Sequence, residues 1–384
     1  MKDYKRLGDY IREVNVRNRE LRMTNLVGLT IDKAFIPSVA NIIGTDLSNY
    51  KVIEKEQFAC SLMQVSRDGK MPIAMYEEDE AIMSPAYPMF EVVDKAELLP
   101  QYLMMWFSRK EFDREASFYA VGGVRGSLTW EDFCNLRLPI PSIARQREIV
   151  SEYETLTRRI RLNEQMIARL EETAQALYRK MFVDGIDREN LPEGWNIGSL
   201  GEIIESYSKA HTFDKKNLIF LNTSDILEGK ILLHNYSDVE KMPGQAKKKI
   251  ANGDILFSEI RPANKRFAFV REEHPEDFVV STKLMVLRTK KNKYGYNNLK
   301  IYFYLTLPEV LDDLQKQADG SSGTFPQITF DGNIREREVI IADEKTENEW
   351  GYFLSVYYKY KWGKEQETEQ LTELQSLLLA RMGK

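Results

Sequence analysis

From Ile149 onward the apolar positions advance in alternating steps of four and three: Ile149, Tyr153, Leu156, Ile160, Asn163, Ile167, Leu170, Ala174, Leu177 and Met181. These are the a and d positions of a coiled-coil seam kept up for more than four heptads, with Asn163 as a single polar position of the kind that sets register. Leu138-Pro139-Ile140-Pro141 precedes the run, and neither Gly nor Pro follows until Gly185, which are the delimiters of one long helix. About 40 residues rising 1.5 Å each predict a helix roughly 60 Å long, too long to pack inside one domain. A second stripe, Trp350, Leu354, Tyr357, Leu371, Leu374, Leu378 and Met382, predicts another from about Glu344 to Arg381. Lys361, Gly363, Lys364 and Thr368 interrupt the middle of that second seam.

Ahead of each helix the pattern is different. Short apolar runs, such as Leu26 to Ile31, Ala81 to Met83 and Met89 to Val93, and then Leu218 to Leu221, Ile255 to Phe257 and Leu284 to Leu287, are separated by turns rich in Gly, Pro and Asn. They predict strands with interspersed helices, in α+β domains of about 140 residues. The chain also repeats itself. Leu7-Gly8-Asp9-Tyr10-Ile11 returns as Leu200-Gly201-Glu202-Ile203-Ile204, Leu128-Thr129-Trp130 as Ile328-Thr329-Phe330, and Leu170, Leu177 and Met181 as Leu371, Leu378 and Met382. Offsets this large and this even mark a duplicated domain, since solenoid repeats have much shorter periods. The division expected is therefore a globular domain over 1–142, a helix over 143–184, a second domain over 185–342 and a second helix over 343–384. Two stripes that cannot bury themselves should pair with each other, and antiparallel pairing would put the domains at opposite ends of a rod that acts as a ruler. A generic bundle, or a zipper between copies of the chain, is the alternative for either stripe taken alone.

Composition narrows the chemistry. A chain of 384 residues, 43% hydrophobic, can bury sizeable cores in two or three domains. Cys60 and Cys134 offer neither a disulfide framework nor a zinc ligand set and should be buried thiols. No apolar leader or membrane-length apolar run stands out, so a cytoplasmic protein with no membrane partner is expected. Phosphate loops, dinucleotide fingerprints, zinc-protease and nucleophile-elbow motifs are all missing, and His211, His234 and His274 lie far apart. With no metal site and no catalytic constellation, the chain reads as a binder or organiser.

The net charge of −5 is unevenly spread. Between Glu240 and Lys300 there are 14 Lys and Arg against 7 Asp and Glu, whereas Glu336 to Ser376 carries 5 basic and 10 acidic residues. Part of the second domain could thus face a polyanion. There, Gly253-Asp254-Ile255-Leu256-Phe257-Ser258-Glu259-Ile260-Arg261-Pro262 leads from a turn through a strand into Arg261, followed by Lys265, Arg266, Arg271 and Lys283. Cations at a strand-to-loop junction can reach phosphates or a guanine edge. At an offset of 194 the first domain sets Arg67 opposite Arg261, with Lys70 nearby. The loops Gly122-Gly123-Val124-Arg125-Gly126 and Gly320-Ser321-Ser322-Gly323-Thr324 fall at the same place in each copy and read first as turns, with phosphate contact left open.

Several of these segments, in their order, spacing and repetition, resemble the specificity subunits of type I restriction-modification enzymes. They are Leu191-Pro192-Glu193-Gly194-Trp195 before Leu200-Gly201-Glu202, Asn252-Gly253-Asp254-Ile255-Leu256-Phe257-Ser258, and Leu138-Pro139-Ile140-Pro141 with Arg145-Gln146-Arg147-Glu148-Ile149-Val150. The resemblance covers nearly the whole chain. It implies two target recognition domains, each reading one half of a split, asymmetric double-stranded DNA site, and two antiparallel helices that set the unread spacer. It also implies two methyltransferase subunits gripping the helical region and separate restriction subunits. S-adenosylmethionine, ATP and magnesium would then belong to those partners, with no cofactor in this chain. The second copy departs from the pattern, with Val339-Ile340-Ile341-Ala342 for the Pro-Ile-Pro segment and Thr346-Glu347-Asn348-Glu349-Trp350 for the Gln-Arg-Glu-Ile-Val one. A structural adaptor whose flanking domains bind peptides, and an enzyme whose residues escape motif search, are the competing classes. Salt-sensitive DNA binding separates the first, and activity without partners the second.

Overall fold

A computed structural model describes residues 4–38, 45–63, 65–120, 126–290, 298–320 and 326–383. The chain divides into two compact units, Met1–Gln165 with Lys364–Lys384, and Met166–Gly363. Each unit contains one globular part and one stretch of each long helix.

In the first unit, Tyr4–Arg6 pairs antiparallel with Arg137–Pro139, so the start and finish of the globular part lie side by side. Its main sheet is antiparallel, in the order Ile11–Glu13, Met89–Val92, Phe58–Cys60, Ile73–Met75. Helices Pro100–Phe107 and Lys110–Ala120 follow, the first opened by proline at a position whose N–H has no helical partner. Their apolar faces close on an aromatic core in which Phe58 and Phe90 stack at 5.0 Å and Phe107, Phe112 and Phe133 are fully buried. Burial of this kind is the main stabilising term. Cys60 lies in that core and Cys134 at its edge, both as free thiols, and burial pushes both thiols up, away from reactivity.

The second unit repeats the plan. Asn196–Ser199 pairs with Glu338–Ile341, and the sheet order is Ile204–Ser206, Leu284–Thr289, Ile255–Ser258, Phe267–Phe269. Helices Asn298–Leu305 and Pro308–Asp319 follow. Strand for strand, this is the order of the first unit, so duplication extends to topology. The repeated Leu-Gly-Asp/Glu also has one cause in both. A Cβ on Gly8 would lie 2.8 Å from Cβ of Cys134, and one on Gly201 2.6 Å from Cγ of Arg335, so only glycine lets the closing segment approach. A second sheet, Ser237–Asp238, Asn217–Leu221, Phe278–Ser281, Ala246–Lys249, contains a parallel pair between its two middle strands, and in the first unit its counterpart is in shorter pieces, Lys51–Glu54 with Glu80–Met83 and a parallel bridge from Leu26 to Ile82.

The long helices run over Ile143–Phe182 and Glu344–Met382. In the first unit Thr157 meets Gln375 at 2.7 Å and Arg159 meets Glu367 at 2.7 Å, which makes them antiparallel there. Within the second unit Glu171 meets Lys361 at 2.5 Å while Tyr178 and Phe182 pack on Trp350, the same sense again. Ile149, Asn163 and Ile167 are buried, and Tyr153, Leu156, Ile160, Leu170, Leu177, Leu371 and Leu378 are half-buried. The second helix is continuous through the polar stretch that interrupts its apolar seam. Lys361 lies on the seam with its ammonium on Glu171, and Lys364 bonds Glu367, so a charged pair replaces the apolar contact. The seam passes through half-buried Gln375, while Leu374 is 52% exposed. Asn163 is 1% exposed, and among the described residues its Nδ2 finds no acceptor.

Each helix is anchored to its own globular part at equivalent places by different chemistry. Gln146 is fully buried; its amide donates to the carbonyls of Glu97 (2.8 Å) and Pro141 (2.9 Å), and its oxygen accepts from the backbone N–H of Leu99 (2.9 Å). In the second unit Glu347 takes that role, accepting from the N–H of Ala342 and from the buried Lys300 ammonium. Asp343 caps this second helix, accepting from the N–H (3.0 Å) and hydroxyl (2.9 Å) of Thr346, while the indole of Trp195 donates to it at 2.7 Å. The Leu-Pro-Glu-Gly-Trp segment therefore serves to pin the helix start.

These bonds, led by the Thr346 N–H, hold the Asp343 carboxyl at about 2. Because the folded value lies below the ordinary one, the stabilisation is complete above about pH 4 and lost as pH falls through about 2. The stability difference between the natural chain and Asp343→Ala, measured by urea unfolding, should accordingly shrink towards zero over that interval. A constant difference would assign the effect to packing of Trp195.

Candidate nucleic-acid interface

In the first unit Arg67 sits on a single helical turn, Val65–Asp68, between the sheet strands Phe58–Cys60 and Ile73–Met75. It is exposed and bonds Asp68 at 2.7 Å, which pushes its own pKa up and that of Asp68 down. Lys70, also exposed, meets Asp32 at 3.0 Å. Exposed pairs of this kind hold only weakly in water, so either cation can exchange its carboxylate for a phosphate. Beside them the glycine-rich segment comes back to the sheet: Leu128 N–H donates to Leu62 at 2.9 Å, and the Ser66 hydroxyl lies 3.5 Å from the Gly126 carbonyl. Gly122, Gly123, Val124 and Arg125 lie outside the described residues, as do Ser321, Ser322, Gly323 and Thr324.

The same return occurs in the second unit, where Ile328 N–H donates to Glu259 (2.8 Å) and Arg261 N–H to Pro326 (3.1 Å). Both glycine-rich segments thus lead back beside the basic segment, which is a tertiary fact about the repeat. The basic segments themselves differ. Cys60 pairs with Ile73 and Phe257 with Phe267, so the connection is three residues longer in the first unit. Counting back from the Phe267 side keeps Arg67 opposite Arg261, whereas counting forward from Phe257 sets Arg67 opposite Asn264. The loops therefore have no single alignment.

Arg261 and Lys265 flank a short turn, Pro262–Asn264, and both have left-handed backbone, with φ of 46° and 53°. For residues other than glycine each such conformation costs about 1–2 kcal/mol. Surroundings hold it: Pro262 is buried, Asn264 N–H donates to Arg261, Lys265 N–H to Pro262, and Ala263 N–H to the Gln315 side chain. The Lys265 ammonium meets Glu228 at 3.0 Å, and Arg266 donates to the carbonyls of Ser224 (2.9 Å) and Ile226 (3.1 Å). Lys283 lies close by in sheet register, its carbonyl accepting from Glu259 N–H, its ammonium 3.4 Å from Gln327 and 3.7 Å from Glu259. Arg261, Lys265, Arg266 and Lys283 are thus brought to one end of the sheet. Arg271 is taken elsewhere, sandwiched between the rings of Tyr358 (4.4 Å) and Trp362 (4.5 Å), where it secures the second helix.

Other cations were not singled out by sequence reasoning. Residues 209–211 run antiparallel to Ala246–Lys249, with His211 N–H donating to Lys247 and Lys249 N–H to Lys209. Opposed residues share a sheet face, so Lys209, Lys247 and Lys249 stand together, while Lys248 turns inward, its ammonium on the carbonyls of Thr282 and Leu284. Thr282 N–H donates to Gln245, which makes this face continuous with Lys283 and the Arg261 turn. The Ala-Lys-Lys-Lys alternation was the available signal, and it needed the strand pairing to be read. In the first unit, buried Asn18 organises a loop by bonding Met23 and Tyr50, and that loop presents exposed Arg19 and Arg22. Among the described residues no cluster of His, Cys, Asp or Glu could hold a metal, and no helix is long and apolar enough to cross a membrane.

The chain thus combines a duplicated α+β unit, basic loops at one end of each sheet and long helices that run antiparallel within each unit. The sequence model of the type I restriction modification DNA specificity domain matches residues 38–172 and 192–373, and the chain belongs to that family. Over 156 residues, 40% of this chain, it is 40% identical to the specificity subunit of the type I restriction enzyme HindI from Haemophilus influenzae, a match spanning 33% of that relative's length. The S subunit of a type I restriction-modification system from M. genitalium shares the fold, with a TM-score of 0.56 at 12% identity, covering 100% of this chain and 96% of that one. The HsdS subunit from Thermoanaerobacter tengcongensis aligns over 99% of this chain and 96% of its own length at 17% identity, with a TM-score of 0.37.

Proposed function

We propose that the chain is the noncatalytic subunit that gives a type I restriction-modification complex its DNA sequence specificity. Residues 1–142 and 185–342 act as target recognition domains, each reading one half of a bipartite, asymmetric site. Residues 143–184 and 343–384 form the helices that set the spacer between the halves. The observation that carries this reading is the pairing of one conserved sheet order with loops that differ in length and charge, since a rigid scaffold with variable loops suits two targets. Arg67 and Lys70 in one domain, and Arg261, Lys265, Arg266 and Lys283 in the other, are the DNA contacts. Two methyltransferase subunits dock on the helices, whose outer face in the first unit leaves Leu374 and Leu377 about half exposed. Methylation with S-adenosylmethionine and ATP- and magnesium-dependent restriction belong to the partners, in the cytoplasm with the DNA they act on.

The spacer role has a geometric test. Inserting one heptad into both helices, after Ile160 and after Lys361, adds about 10 Å to each and should lengthen the unread spacer by about three base pairs at 3.4 Å. Sequencing of methylated adenines in cells carrying the variant reads the new site directly. An unchanged spacer would remove the ruler and leave the recognition domains standing.

A further inference from the structure

We infer that the turn Arg261–Lys265 is the base-reading element of the second domain, with Arg261 addressing a guanine and Asn264 an adenine in the major groove. This rests on the DNA-reading function proposed above and names the residues that would decide specificity within it. Among the described residues the Arg261 guanidinium and the Asn264 amide, both exposed, have no acceptor, carboxylate or ring, whereas Lys265, Arg266, Arg271 and Lys283 each have a partner. The turn is nevertheless fixed, by buried Pro262, by Gln315 on Ala263 and by Pro326 on Arg261. It is fixed in a conformation that glycine would adopt without strain, yet arginine stands there, at φ 46°. Strain that surrounding contacts maintain under an unpaired, exposed side chain points to that side chain as its purpose.

The residue types fit base edges. Arginine offers two parallel donors that match guanine O6 and N7, and asparagine offers one donor and one acceptor that match adenine N7 and N6. Phosphate contact needs only charge within reach, which the lysines on the adjoining face supply on flexible stems. A planar, bidentate group on a backbone that the fold holds in place suits discrimination between bases. The corresponding loop of the first domain is longer and has its Arg67 bonded to Asp68, so the two domains present different readers.

Arg261→Gly and Asn264→Ala test this in the specificity subunit assembled with its methyltransferase subunits. Selection from a duplex library randomised at the second half-site reads base preference, a random-sequence duplex reads general affinity, and urea unfolding reads stability. Arg261→Gly should unfold at the same or higher urea and lose discrimination at one guanine by on the order of 10- to 100-fold, a larger loss than its loss of affinity for random DNA. Asn264→Ala should do the same at one adenine. Base preference kept at every position in both variants overturns the inference. So does a fall in random-DNA affinity with preference intact, which would make these phosphate contacts. Absence of any preference or salt dependence in the natural complex would instead remove the proposed function, and this inference with it.

Discussion

Replacement of Glu347 by alanine is expected to destabilise the second unit by about 3–5 kcal/mol, because it strands a buried cation. Lys300 is 3% exposed, with its ammonium over the Phe182 ring at 3.9 Å and within 3.2 Å of the Ile340 carbonyl, and Glu347 is the carboxylate that compensates it. Desolvation lowers the Lys300 pKa and Glu347 opposes that shift. Removing Glu347 should depress it further. The sign of the pH response follows: a lysine whose folded pKa lies below its unfolded value destabilises in full at lower pH, and the penalty lifts as pH rises through the folded value. Urea unfolding followed by tryptophan fluorescence should show Glu347→Ala recovering stability towards alkaline pH. The double change Lys300→Met with Glu347→Leu, which removes both charges, should recover most of it. A loss below about 1 kcal/mol would mean that water reaches Lys300 and the anchor behaves as a surface pair.

Affinity of the assembled complex for its DNA target should fall by about a thousandfold or more between 50 and 200 mM salt, the behaviour of a protein that neutralises about six or more phosphates. The face formed by Lys209, Lys247 and Lys249 should account for part of that slope, since these side chains stand together on one sheet face. Replacing Lys209 and Lys247 by alanine should lower the slope of log K against log salt by about 2, with the preferred sequence unchanged. Titrations at several salt concentrations provide the measurement. Equal slopes in the natural and doubly substituted complexes would move the DNA to another face of this unit.

Much of the architecture could be read in one dimension because it is periodic. The four-three spacing from Ile149 to Met181 reports a helix face, and Leu7-Gly8-Asp9 returning at Leu200-Gly201-Glu202 reports a second copy of a packing arrangement in which Cβ atoms would collide. Less could be read where a polar residue does an apolar residue's work. Lys361 looked like a break in the seam until Glu171 stood opposite, and Arg271 looked like one more surface cation until Tyr358 and Trp362 enclosed it. Thr346-Glu347-Asn348 shared no letters with Arg145-Gln146-Arg147, yet Glu347 performs the anchoring done by Gln146, because Lys300 supplies the complementary charge.

Helix length, the number of globular parts, their strand-rich character and the family were thus written in the order of residues, since each depends on local periodicity or on a motif held at constant spacing. Which cations lie together, which are neutralised and which remain unpaired depended on strand pairing between distant segments. Lys209 meets Lys249 across a ladder, and the Arg261 turn is held by Pro326 on Arg261 and Gln315 on Ala263, contacts of 40 to 65 residues in separation that no local pattern encodes. Long-range hydrogen bonding orients side chains, and orientation decides whether a charge faces its own fold or a ligand.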